Sequence, residues 1–74
     1  MKLPVVYPQE LCKAALKIGF SEERQKGSHK TFSHPDGRKL TIPFHSNKPI
    51  PAGLLNKIMK QDLNITREEL ARLL

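Results

Sequence analysis

At 74 residues and a formal net charge of +6 at neutral pH, the chain has room for one domain with a small core. That excludes a deep, engulfing substrate cavity and favours a shallow surface site suited to a polymer. No apolar run approaches membrane-spanning length, so no membrane partner is expected. The single cysteine, Cys12, rules out an intrachain disulfide and suits a reducing, cytoplasmic setting. The charge is concentrated. Between positions 24 and 60, eight basic residues face one acid, Asp36, whereas five bases face six acids elsewhere. A basic surface of this kind attracts nucleic acid or another polyanion, the alternative being a face that merely aids solubility.

In chain order, Pro4 and Pro8 make residues 1–7 an extended lead-in that lacks the apolar run of a signal peptide. Pro8 suits the first turn of a helix running to about Ile18, with Leu11, Ala15 and Ile18 at helical spacing and Cys12 as a small packed side chain. Gly19 stops the helix, and Phe20 packs back on its last turn. The polar stretch from Phe20 to Lys26 reads as an edge strand and Gly27-Ser28 as a turn. A second strand covers His29 to His34, with Phe32 as its apolar anchor. Pro35-Asp36-Gly37 turns the chain into a third strand, Arg38 to Phe44, in which Leu40, Ile42 and Phe44 alternate with Lys39 and Thr41. Pro43 marks an edge or a strand end.

Strand parity bears directly on function. With Phe32 facing the core, His29, Thr31 and Ser33 face away, as do Lys39 and Thr41 on the third strand. His29 therefore belongs to an open sheet face, whereas Lys30 shares the parity of Phe32 and is expected at the sheet rim. After a stiff loop containing Lys48-Pro49-Ile50-Pro51, a helix from about Pro51 to Gln61 carries Leu54, Leu55, Ile58 and Met59 as its apolar stripe. Gly53 in its first turn weakens that helix and suggests close packing or close approach of a ligand. Thr66-Arg67-Glu68-Glu69 is a capping box that opens a last short helix over Arg67 to Leu74, with Ile65 and Leu70 spaced as a hydrophobic staple. The order is α-β-β-β-α with a short extra C-terminal helix, a single two-layer α+β domain over residues 1–74.

The segment Lys26-Gly27-Ser28-His29-Lys30 holds the chemistry. Histidine is the side chain that most readily takes and gives a proton near neutrality. A neutral imidazole can accept the proton of a ribose 2′-hydroxyl, whose oxygen then attacks the adjacent phosphate. No metal is required, because the nucleophile belongs to the substrate. Cations such as Arg24, Lys26 or Lys30 would steady the charge developing on phosphate. A second proton-transfer group is not evident; His45 and Lys30 are candidates. Gly-Ser-His alone is a weak signal, and a surface histidine without catalytic duty is the plain alternative. Cys12, His29, His34 and His45 match no zinc-ligand spacing. A DNA-reading helix-turn-helix at the C-terminus is disfavoured by Glu68 and Glu69 at the start of its last helix.

The ordered set of Leu3-Pro4, Gly19-Phe20, Gly27-Ser28-His29, His34-Pro35-Asp36-Gly37, Pro43, His45, Lys48, Gly53, Leu55 and Ile58 resembles the HicA-type mRNA interferase toxins of prokaryotic toxin–antitoxin pairs. The resemblance implies a double-stranded-RNA-binding-domain-like fold and metal-free, cofactor-free endoribonuclease activity on mRNA. It implies that His29 is the catalytic residue and that a HicB-type antitoxin covers the toxin. Arg24, Lys26, Gly27, Ser28, Lys30, Lys39 and Lys48 are the expected RNA contacts. Two other functions remain open: a non-catalytic RNA-binding domain, and an interaction module whose basic face recognises an acidic protein.

Overall fold

A computed structural model describes residues 5–45 and 47–74. Residues 1–4 of the extended lead-in and Ser46 of the loop lie outside the described residues. The order is α1 (Pro8–Lys17), β1 (Ser21–Lys26), β2 (His29–Ser33), β3 (Lys39–Pro43), α2 (Ala52–Lys57) continuing into a π-helical segment (Ile58–Leu63), and α3 (Arg67–Leu73). The fold is α+β, with the α-β-β-β-α layout of a double-stranded-RNA-binding domain and an added C-terminal helix.

Local chemistry sets both ends of α1. Pro8 occupies the first turn, where no N–H is needed, and the Glu10 carboxylate accepts from the Tyr7 backbone N–H at 2.9 Å. At the other end Gly19 has φ +104°, and the Phe20 N–H reaches back to the Ala15 carbonyl at 3.0 Å. Phe20 is thereby folded into the core.

The three strands form one antiparallel sheet in the order β1-β2-β3, so β1 and β3 are edges and Pro43 ends an edge strand. The β2–β3 register pairs Phe32 with Leu40 and Lys30 with Ile42 on one face, and Thr31 with Thr41, His29 with Pro43 and Ser33 with Lys39 on the other. Phe32, Leu40 and Ile42 are buried with Leu11 and Ala15 of α1, Leu55 of α2, and Ile58, Met59 and Leu63 of the π-helical segment. All helical layers thus cover one face of the sheet.

Three features differ from the simplest reading. The β1–β2 ladder has a bulge between Glu22 and Arg24. The extra residue keeps Arg24 opposite Thr31 and Lys26 opposite His29, yet pairs Glu22 with Phe32 on the helix side. The helix expected to end near Gln61 leaves α geometry at Ile58 and continues to Leu63. A π-helix bonds i to i+5, and Ile58 and Leu63, five apart, are both fully buried. The last helix docks within the single chain. Leu70 is fully buried, and the Lys17 ammonium donates to the Leu73 carbonyl at 2.8 Å, tying α3 to α1.

Candidate functional site

The open face of the sheet is built from the β1–β2 hairpin outward. Gly27 at φ +59° takes the first central position of a two-residue turn, where an L side chain is strained. The Gln25 side-chain amide donates to the Gly27 carbonyl at 3.2 Å and braces the turn. His29 follows at once, opposite Lys26 on β1 and Pro43 on β3. It is exposed, and among the described residues its ring has no hydrogen-bond or ion-pair partner. Beyond Pro43 the ladder runs one step further, because the Phe44 N–H donates to the Ser28 carbonyl. His45 therefore emerges beside the Gly27-Ser28 turn. It is exposed, and the Lys48 N–H donates to its carbonyl at 3.1 Å. His45, Lys48 and Pro43 share a small hollow of about 130 Å³.

The remaining expected contacts divide between the faces. Arg24 and Lys26 on β1 and Lys39 on β3 are exposed and share the open face with His29, Thr31 and Thr41. Lys30 does not join them. Its side chain is only 21% exposed, its ammonium lies 3.7 Å from the Glu22 carboxylate, and it sits 4.2 Å from the centre of the Phe44 ring. Parity turns it to the helix side, and the bulge supplies its carboxylate partner.

Other groups have structural duties. The Arg38 guanidinium bonds the Asp36 carboxylate at 2.7 Å and the Leu63 carbonyl, and covers the Phe20 ring at 5.2 Å. Although basic, it is spent on joining the β2–β3 turn to the end of the π-helical segment. His34 donates through Nε2 to the Ile18 carbonyl at 3.0 Å and accepts the Asp36 N–H at Nδ1 at 3.1 Å, so both ring nitrogens are occupied. Cys12 is half-buried. Desolvation pushes its thiol pKa up, opposed in part by nearby Lys30 and reinforced by Glu22, which leaves a poor nucleophile.

Two hollows adjoin the open face. One, of about 590 Å³, lies over Glu23, Arg24, Thr31, Lys39 and Thr41. The other, of about 360 Å³, curves past β3 to Leu54, Lys57, Ile58 and Asp62. Both are shallow and open. Lys57, reached only because α2 packs beside β3, has no signal in the local sequence.

A sequence model described as the HicA toxin of bacterial toxin–antitoxin systems matches residues 8–62, well over half of the chain. The chain belongs to the HicA toxin family. The match runs from the first residue of α1 through Asp62 and so takes in the whole sheet, His29 and both hollows. α3 lies beyond it. Membership assigns this HicA-family chain to the toxin side of a toxin–antitoxin system, where its partner is an antitoxin. The chain matches no curated protein. Among the described residues no helix is long and apolar enough to cross a membrane.

Proposed function

We propose that the chain is an mRNA-cleaving endoribonuclease of the HicA type, with His29 as general base. The observation that carries this reading is an exposed imidazole on an open sheet face among cations, none of which has an ion-pair partner among the described residues. Its ring nitrogen takes the proton of the ribose 2′-hydroxyl. The 2′-oxygen bonds to phosphorus, the bond from phosphorus to the 5′-oxygen breaks, and the departing 5′-oxygen receives a proton. The products are a 2′,3′-cyclic phosphate and a 5′-hydroxyl. Lys26, directly across from His29, and Arg24 stabilise the charge gathering on phosphate. The backbone at Gly27 and Ser28 lets the strand approach closely, and Lys39 and Lys48 extend the contact surface. Lys30, engaged with Glu22 and Phe44, serves the packing of the site rather than direct contact.

For the proton delivered to the 5′-oxygen, His45 is the better of the two sequence candidates. It is exposed, and the Phe44–Ser28 hydrogen bond holds its backbone next to the turn that carries His29. A HicB-type antitoxin would neutralise the protein by covering this face.

The test compares the parent protein with His29→Ala. General acid–base catalysis contributes about 10²–10⁴-fold. The variant should therefore fold normally, keep RNA affinity, lose cleavage by about that factor and fail to arrest growth on expression. Equal cleavage and equal toxicity of the two proteins would sink the reading and favour a domain that binds RNA without cutting it.

A further inference from the structure

The two hollows share Thr31, Lys39 and Thr41, so they are parts of one continuous depression. It begins beside Arg24 on β1, crosses the Thr31–Thr41 pair in the middle of the sheet, and passes over the outer edge of β3 to Lys57 on α2. We propose that this depression is the track for the sugar–phosphate backbone of single-stranded RNA, leading from His29 across the sheet to Lys57. The proposal rests on the ribonuclease reading for its substrate class, and it assigns to that substrate a path that His29 alone does not define.

Charge supports the path. Arg24, Lys39 and Lys57 border the depression, and none of them makes an ion pair among the described residues, whereas Lys30 and Arg38, which do, are turned away from it. Uncompensated cations in a row are what a phosphate chain requires. The two carboxylates present, Glu23 and Asp62, each line only one of the two hollows and are absent from the shared stretch of Thr31, Lys39 and Thr41. Spacing supports it too. His29 and Thr31 are two residues apart on one strand face, about 7 Å, so a chain held at the threonines delivers its next unit to the imidazole. The paired hydroxyls of Thr31 and Thr41 can donate to phosphate or accept from a ribose hydroxyl. The wall that Leu54 and Lys57 of α2 and Ile58 and Asp62 of the π-helical segment form along one side suits one strand rather than a duplex.

The residue types also predict how such a strand is read. Arg24, Lys26, His29, Thr31, Ser33, Lys39, Thr41 and Pro43 occupy the open face, and none of them is a phenylalanine, tyrosine or tryptophan. Without those rings, base stacking on this face is limited to the His29 imidazole and the Arg24 guanidinium. The track holds the backbone and leaves the bases outward, so its affinity should depend little on base identity.

The experiment uses the full chain carrying His29→Ala, so that RNA is bound and not consumed. A single-stranded RNA oligonucleotide is titrated by fluorescence anisotropy across a salt series, and by amide chemical shifts in labelled protein. The amides of Thr31, Lys39, Thr41 and Lys57 should move on RNA addition. Lys57→Gln should weaken binding several-fold and lower the salt slope by about 0.7, the loss of one phosphate contact on a single strand. Lys13→Gln, an equal change of charge on α1 away from the depression, should alter the slope far less. Equal effects of the two substitutions, or RNA shifts confined to the turn beside His29, would overturn the track while leaving the cleavage test of His29 standing. If these amides respond only to an acidic protein partner, the depression is an antitoxin seat and the proposal fails. RNA binding absent even at low salt would remove both the track and the ribonuclease reading.

Discussion

Three histidines share this small domain under different physical constraints. His34 is fully committed: Nε2 closes the C-terminal end of α1 through the Ile18 carbonyl, and the ring meets Phe20 edge-on at 5.0 Å between centres. Gly19 makes room for it, since a Cβ there would lie 2.9 Å from Nε2. His29 has no such partner among the described residues and presents its ring to solvent, which is what a proton acceptor for an incoming substrate needs. His45 is exposed beside the turn that carries His29. If it protonates the departing 5′-oxygen, His45→Ala should slow cleavage of ordinary RNA by about 10²–10⁴-fold. An RNA with sulfur in place of the bridging 5′-oxygen leaves as a thiolate and needs no proton. That substrate should restore the His45→Ala rate to near the parent's while leaving His29→Ala slow. Equal slowing of His45→Ala on both substrates would exclude the assignment.

At the scale of elements, α3 shows how a helix too short to persist alone is made part of a fold. Its capping box is complete: the Glu69 N–H donates to the Thr66 hydroxyl at 3.1 Å, and the Thr66 N–H donates to the Glu69 carboxylate at 3.0 Å. A cap of this kind contributes about 1 kcal/mol, less than burial of one leucine. Leu70 is fully buried, and removing such a side chain costs about 2–5 kcal/mol. A core of this size supplies roughly 3–5 kcal/mol in all. Leu70→Ala should therefore leave a large unfolded fraction at 37 °C, and Thr66→Ala should not, as read by circular dichroism during heating. A loss under about 1 kcal/mol for Leu70→Ala would mean that α3 is dispensable to the core. The β1 bulge acts through geometry rather than energy. By advancing the register one residue it gives Lys30 a carboxylate, Glu22, on the helix side while Arg24 and Lys26 keep the open face.

For the whole molecule, two carboxylates held in the folded state by backbone N–H groups bear on its acid behaviour. Asp36 is lowered below its ordinary 3.8 chiefly by the hydrogen bond from the Arg38 backbone N–H. Glu69 is lowered below 4.5 chiefly by the one from the Thr66 backbone N–H. A carboxylate depressed in the folded state binds fewer protons there than in the unfolded chain. Its stabilisation is present above the unfolded value and is lost as pH falls through the folded one. Melting temperature should thus fall as pH drops from about 5 towards 2. The double variant Asp36→Asn, Glu69→Gln should start lower at pH 7 and fall less steeply over that interval. Parallel curves for the two proteins would show that these contacts do not govern acid stability.

Features that depend on near neighbours were legible in the order of residues. A period of two assigned Phe32, Leu40 and Ile42 to the core and His29, Thr31, Lys39 and Thr41 to the open face. Gly19 and Gly27 marked turns because they adopt positive φ, and Thr66 with Glu69 marked a helix start. The resemblance carried by Gly27-Ser28-His29 and the pieces around it named the family that the match over residues 8–62 establishes. Long-range packing set the remainder. Arg38 looks like any other cation in the basic run until Asp36, Leu63 and Phe20 converge on it, and Lys30 looks like a phosphate contact until the bulge brings Glu22 within reach. The π-helical segment and the docking of α3 follow from burial of Leu63 and Leu70. Lys57 faces the sheet groove only because α2 lies against β3. These outcomes depend on which distant side chains share a core or a groove, and a one-dimensional pattern carries no term for that.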